Sequence, residues 1–244
     1  MVDFILSYSL FLSKKPTNIL ENHHIVILQK SIVKFFLIAA FVFFAHNNLF
    51  AQRILGDCTI YYTVTYKDKD KDSLVVVNAL KTVYIHGAKV RTDFSFSTSN
   101  YLQTVIQNNN LGTVTVLKEI GVNKYKTTLD SSGWRLHNTI YNNIKTNTDE
   151  DFVKVILGYR CGKATLSLEN GAKYDAYYTL DVTPSSKENK YQFKDVPGVI
   201  LQYESVDEST ASPIVIKAKS INLMPISDHL FNIPTKGYRI SNDF

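Results

Sequence analysis

Between Cys58 and Lys219, segment after segment of this chain alternates apolar and polar residues, the period of two that half-buried antiparallel strands require. In CTIYYTVTYK, Ile60, Tyr62, Val64 and Tyr66 fall on one face and Tyr61, Thr63, Thr65 and Lys67 on the other. CGKATLSLE sets Ala164, Leu166 and Leu168 against Lys163, Thr165 and Ser167. AKYDAYYTLDV sets Tyr174, Ala176, Tyr178, Leu180 and Val182 against Lys173, Asp175, Tyr177, Thr179 and Asp181. The run Val199, Leu201 and Tyr203 continues the pattern, as do Ile214, Ile216 and Ala218. KTVYIHG, AKVRTDFSF, YLQTVIQ, TVTVLKE and KYKTTLD add further strands, with turns at Gly87, Asn108-Asn109-Asn110 and the hairpin pair Asn170-Gly171.

Helix is scarce. SLVVVNALK (Ser73 to Lys81) and GWRLHNTIYNNI (Gly133 to Ile144) are the expected helical segments, and DEDFVKVIL fits a short helix or an extended lead-in. The pattern predicts a mainly β fold: about ten strands in one curved antiparallel sheet, apolar on one face and solvated on the other, with one or two short covering helices. A sheet of that width must curl or gain a cover, so a half-barrel is expected.

The N-terminal part reads differently. KSIVKFFLIAAFVFFAHNNLFAQ (Lys30 to Gln52) has two lysines, an unbroken apolar run from Phe35 to Ala45, and a small residue at Ala51. Those are the parts of a secretory signal, so residues 30–51 are expected to be cleaved and the mature chain to begin at Gln52. The run is shorter than the ~18 residues that spanning a bilayer requires, which leaves no transmembrane span after cleavage. A buried core helix is the alternative. Residues 1–29 show no sustained amphipathic period and no second Met. They are read as an upstream extension, with translation starting near Val26 or Leu28; an N-terminal tail or an extra apolar segment, Phe4 to Leu12, is the competing reading.

Residues 52–244 then form a single domain, long enough for one well-buried core. The leader takes four of the 27 basic and two of the 22 acidic residues, leaving a net charge of +3, evenly interspersed. That is too mild to argue for nucleic acid or an anionic membrane surface. Of the 15 tyrosines, those on the strands fall mostly on apolar faces, as Tyr62, Tyr66, Tyr174, Tyr178 and Tyr203 do, and so fit core or pocket lining better than a single-strand binding groove. In an exported chain Cys58 and Cys161 permit a disulfide, and two independent buried thiols are the alternative. Asp57 immediately before Cys58 fits a soluble export signal better than a lipoprotein signal.

Chemistry-bearing motifs are absent from the sequence. His86, His137 and His229 are far apart and have no ligand neighbour at helical spacing, so no metal site is expected. No Gly-x-Ser-x-Gly elbow, P-loop, dinucleotide fingerprint or CxxC pair occurs, and no cofactor is expected. Asp68-Lys69-Asp70-Lys71-Asp72-Ser73 imitates the start of a calcium loop but lacks its Gly and its closing Glu. A solvated hairpin loop is the expected role.

FKDVPGVILQYE (Phe193 to Glu204) resembles the Leu-Pro-Gly-Leu box of the secreted GLPGLI-type proteins and a related family of unknown function. ILGYRCGKA (Ile156 to Ala164) before a Tyr-Tyr-Thr strand (Tyr177 to Thr179), VYIHGAKVRTDF, VTVLKEIGVNKY and LFNIPTKGYRI are similar to segments of the same family. Val196 and Val199 stand where the box has Leu. The resemblance implies a LolA/LppX-like half-barrel, the fold of outer-membrane lipoprotein carriers, and brings no catalytic residues. Pro197-Gly198 is read as the turn into a buried strand.

Three functions are open to such a chain. The first is a periplasmic or secreted binding protein that shelters a lipid or acyl chain, with the row Tyr62, Val64, Tyr178, Leu180, Leu201, Tyr203, Ile214 and Ile216 lining the concave face. The second is an envelope structural or protein-interaction module whose apolar face is its core. An enzyme ranks last, because no nucleophile–base pair or metal cluster is visible. A cavity of several hundred Å³ would favour the first and a filled interior the second.

Overall fold

The computed structural model describes residues 54–67, 74–96, 100–206 and 213–241, all within the compact unit Gln52–Phe244. The leader, the upstream extension and the Asp68–Ser73 loop lie outside the described residues. The strands run in chain order β1 (Ile54–Leu55), β2 (Asp57–Lys67), β3 (Leu74–His86), β4 (Lys89–Phe96), β5 (Tyr101–Asn108), β6 (Thr113–Ile120) and β7 (Asn123–Leu129). After the helix α1 (Ser131–His137) come β8 (Lys145–Ile156), β9 (Tyr159–Ser167), β10 (Lys173–Thr179), β11 (Thr183–Pro184), β12 (Val199–Val206), β13 (Pro213–Asn222) and β14 (Arg239–Ile240). Single 3₁₀ turns stand at Thr139–Tyr141 and Asp228–Phe231.

Twelve strands make one open, curved sheet in the order β14-β7-β6-β5-β4-β3-β2-β13-β12-β10-β9-β8. All neighbours are antiparallel except β14 and β7, and β1 pairs with β11 in a separate parallel couple. The sequence reading of a mainly β antiparallel sheet therefore holds, with two corrections. Leu74 to Lys81 is not helical: it belongs to the central strand β3, paired with β2 along its length and with β4 from Ala79 on, and its tertiary partners override a run that alternates poorly. The helix expected over Gly133 to Ile144 instead spans Ser131–His137 and gives way to the 3₁₀ turn Thr139–Tyr141; DEDFVKVIL takes the extended of its two readings, lying through Ile156 in β8 at one edge of the sheet.

Register explains which residues face inward. Val64 lies beside Ile216, Ile216 beside Tyr203, and Tyr203 beside Ala176, so four strands contribute one continuous buried row. On the other side Val83 and Ile85 of β3 meet Thr92 and Val90 of β4. The inner face is closed by two devices. Trp134 of α1 packs on Val105, Val114 and Val116; the helix starts on Asp130, whose carboxylate accepts from Gly133 N at 2.8 Å.

The larger cover is the strap, residues 180–198 between β10 and β12, which drives Val182, Phe193 and Val196 into the main core. The Pro197-Gly198 turn then delivers Val199 to β12 as the sequence implied. Residue 198 must be glycine for two reasons: its φ is +63°, and a Cβ there would lie 1.9 Å from Thr179 O.

The outer face is not simply solvated. The segment 223–241 crosses it and builds a second, smaller core from Ile226, Leu230, Phe231 and Tyr238 on Tyr84, Ile106 and Leu117. Arg91 Nη1 donates to Leu230 O at 2.6 Å and Tyr238 OH to Glu119 Oε1 at 2.5 Å. Both faces of β4 to β6 are thus partly dry, which a period-two pattern alone does not distinguish from one-sided burial.

Candidate functional site

Six of the eight residues expected on the concave face, Tyr62, Val64, Tyr178, Leu201, Tyr203 and Ile216, are fully buried in the main core. Leu180 and Ile214 are half-buried and pack against it; Leu180 lies just past the end of β10. The structure therefore brings the row together, and the strap fills the space in front of it. Among the described residues, a cavity of about 30 Å³ lies there, lined by Ile60, Tyr62, Val83, Ile85, Glu188 and Val199. That is room for roughly one water, against the several hundred Å³ of an ordinary ligand site.

The face continues to the far ends of β4, β5 and β6. Ala79, Phe96, Tyr101 and Ile120 sit side by side across β3 to β6, and Lys81, Phe94, Gln103 and Lys118 form the next row down. Phe94, Phe96 and Tyr101 are half-buried, Phe94 and Phe96 packing against the main core, and Ile120 is 50% exposed. Phe94 meets Phe96 edge-on at 5.1 Å, and Phe96 is tilted on Tyr101 at 5.9 Å. Sequence reasoning placed these segments on strands but did not single out the aromatics; the FSF pattern of β4 was the available signal.

A polar cluster marks the border between the filled floor and this aromatic rim. Lys81 is only 8% exposed; its ammonium donates to the Tyr203 hydroxyl and pairs with the Glu188 carboxylate of the strap. It also lies 5.0 Å from the Tyr203 ring centre and 5.9 Å from that of Tyr62. Tyr62 OH donates to Ile200 O at 2.8 Å. Burial, reinforced by the Glu188 charge, holds both phenols well above the usual tyrosine range, so they serve as neutral hydrogen-bonding groups.

The other titratable groups are structural in their surroundings. His86 Nδ1 contacts Asp57 Oδ1 at 2.5 Å, its Nε2 faces the Asp228 carboxylate at 3.4 Å, and its ring stacks on Phe231. With carboxylates on both nitrogens, His86 clasps a hairpin to the C-terminal segment. Cys58 and Cys161 are buried free thiols of the main core, so the disulfide that an oxidising compartment permits is not formed in this structure. Burial pushes the Cys58 thiol up to about 11 and raises that of Cys161 as well. Among the described residues no cluster of metal-ligating side chains occurs, and no helix is long and apolar enough to cross a membrane.

No family model and no curated protein matches the chain. Among solved structures it is similar to an uncharacterized conserved protein from Thermus thermophilus, at 11% identity and TM-score 0.45, covering 77% of this chain and 91% of that one. It is also similar to a putative outer membrane lipoprotein-sorting protein domain from Vibrio parahaemolyticus, at 9% identity and TM-score 0.34, covering 72% and 89%. Neither likeness carries an argument about ligand or location; the site has to be read from its own geometry.

Proposed function

We propose that this chain is an exported, non-catalytic envelope protein that binds an apolar chain on the concave face of its half-barrel. The observation that carries this reading is the change along that face, from a floor covered by the strap to a rim of only partly buried Phe94, Phe96 and Tyr101. Partly buried aromatics clustered on a concave face offer apolar surface to a ligand, and a bound methylene there gains about 0.8 kcal/mol. The buried row from Tyr62 to Ile216 then supports the rim as its packed floor. Export rests on the leader, and the periplasm or the cell exterior is its destination.

The filled interior favours a second reading, an envelope structural or protein-interaction module with no small ligand. Titration with the neutral fluorescent probe N-phenyl-1-naphthylamine separates the two. Saturable binding, weakened several-fold by Phe94→Ala and Phe96→Ala but not by Lys217→Ala on the exposed opposite face, is the expected result. Binding that never saturates, or equal losses in all three, leaves the packed module standing.

A further inference from the structure

A lysine is the least economical residue to place inside a half-barrel, because its ammonium must give up water. Lys81 is nevertheless there, next to Phe94 across the β3–β4 ladder, at the inner limit of the aromatic rim. Two ring faces, one phenol and one carboxylate compensate it. The carboxylate is Glu188, which comes from the strap and not from the sheet.

The backbone around Glu188 is held by bonds that do not involve that carboxylate. Glu188 O accepts from Gln107 Nε2 at 2.7 Å, and Asn189 Nδ2 donates to Asn138 Oδ1 at 2.8 Å. Lys187 Nζ donates to Phe193 O at 2.9 Å and to Lys194 O at 2.6 Å. The Glu188 side chain can therefore rotate away while the strap stays seated. The acceptor position it would vacate lies at the Lys81 ammonium, and Phe94 is the register neighbour of Lys81 on β4.

The geometry points to Lys81 as the seat for the carboxylate of a single-chain anionic amphiphile, with the Glu188 carboxylate occupying that seat in this structure. This rests on the proposed binding of an apolar chain at the rim. Exchange of one carboxylate for another keeps the buried cluster neutral, so the lysine is never left uncompensated. The acyl chain would run from Phe94 past Phe96 and Tyr101 toward Ile120. One two-residue step along β4 and two strand spacings of ~4.8 Å give a path of about 16 Å, the length of an extended chain of roughly twelve carbons. A neutral head group makes no such exchange, and it gains only the rim.

The test compares dodecanoate with methyl dodecanoate as displacers of N-phenyl-1-naphthylamine from wild type, Glu188→Gln and the double variant Glu188→Gln/Lys81→Met, all produced from the full chain. Glu188→Gln removes the internal competitor, so dodecanoate is expected to bind it at least tenfold more tightly than the ester, with a smaller preference in wild type. The double variant should bind both alike. Dodecanoate should also raise the Tm of Glu188→Gln more than that of wild type, because it restores the missing countercharge. If Glu188→Gln folds only with dodecanoate present, rescue by the acid and not by the ester is the same result. If it folds with neither, the acid-to-ester ratio in wild type against the double variant decides, and an unchanged ratio overturns the seat. Equal affinities in Glu188→Gln overturn it as well while leaving apolar binding intact. Failure of both amphiphiles to displace the probe from any variant overturns apolar binding itself.

Discussion

Truncating Phe193 to alanine removes the side chain that anchors the strap to the sheet. Phe193 is 1% exposed and sits in the main core with its ring edge-on to Tyr203 at 5.1 Å. A buried Phe→Ala change typically costs about 3–5 kcal/mol, of which ~24 cal/mol comes from each Å³ of cavity that does not collapse. Loss of the ring pair adds to this by about 0.5–1.5 kcal/mol. Its ring partner Tyr203 is fixed by ladders on both sides, so little collapse is expected there and the loss should reach about 4 kcal/mol. For a domain of this size that lowers Tm by roughly 8–16 °C. Trp134 is the single tryptophan and packs beside Tyr191 of the strap, so its fluorescence in a urea titration reports the transition directly. An unchanged m-value with a midpoint shift of that size is the expected outcome. A loss under about 1 kcal/mol would show that the strap is a loose cover and not part of the core, and the packing argument would fall.

Two further outcomes follow from the titratable groups. Without reductant, a thiol reagent should find two free cysteines per chain after denaturation and react slowly with the native protein, because burial shields both thiols and raises their pKa; finding none in denaturant would establish the disulfide instead. Hydrogen bonds from Lys124 and Tyr238 lower the Glu119 pKa below its ordinary 4.5. Its contribution is therefore complete above about pH 4.5 and is lost as pH falls through the lowered folded value. Glu119→Gln should flatten that acid limb in hydrogen exchange of residues 223–241, and an unchanged limb would assign the acid sensitivity elsewhere.

Local chemistry was enough for much of this protein. Alternation dictates the strands because side chains on a pleated backbone point to opposite faces, and it set the row from Tyr62 to Ile216 on one face before any fold was known. The glycine-bearing hairpins and the Pro197-Gly198 turn were legible for the same local reason, since positive φ and close backbone approach select glycine. The alternation held for KTVYIHG but failed just before it, over Leu74 to Leu80, where the run does not alternate cleanly and a helical propensity competes with pairing to β2.

Only the tertiary structure decided what covers each face. Lys81 meets Tyr203, 122 positions away in the chain, and Glu188 from the strap, and nothing in the surrounding β3 residues signals that its ammonium is buried. Phe193 and Val196 read equally well as loop residues or core residues, because irregular backbone has no period to reveal which side chains turn inward. The C-terminal segment likewise hides Tyr84, Ile106 and Leu117 on the face expected to be wet. A pattern along one strand records only that a face is apolar. Whether a strap, a helix or a ligand meets that face depends on contacts made across the whole chain, and those are set by the packing of the folded sheet.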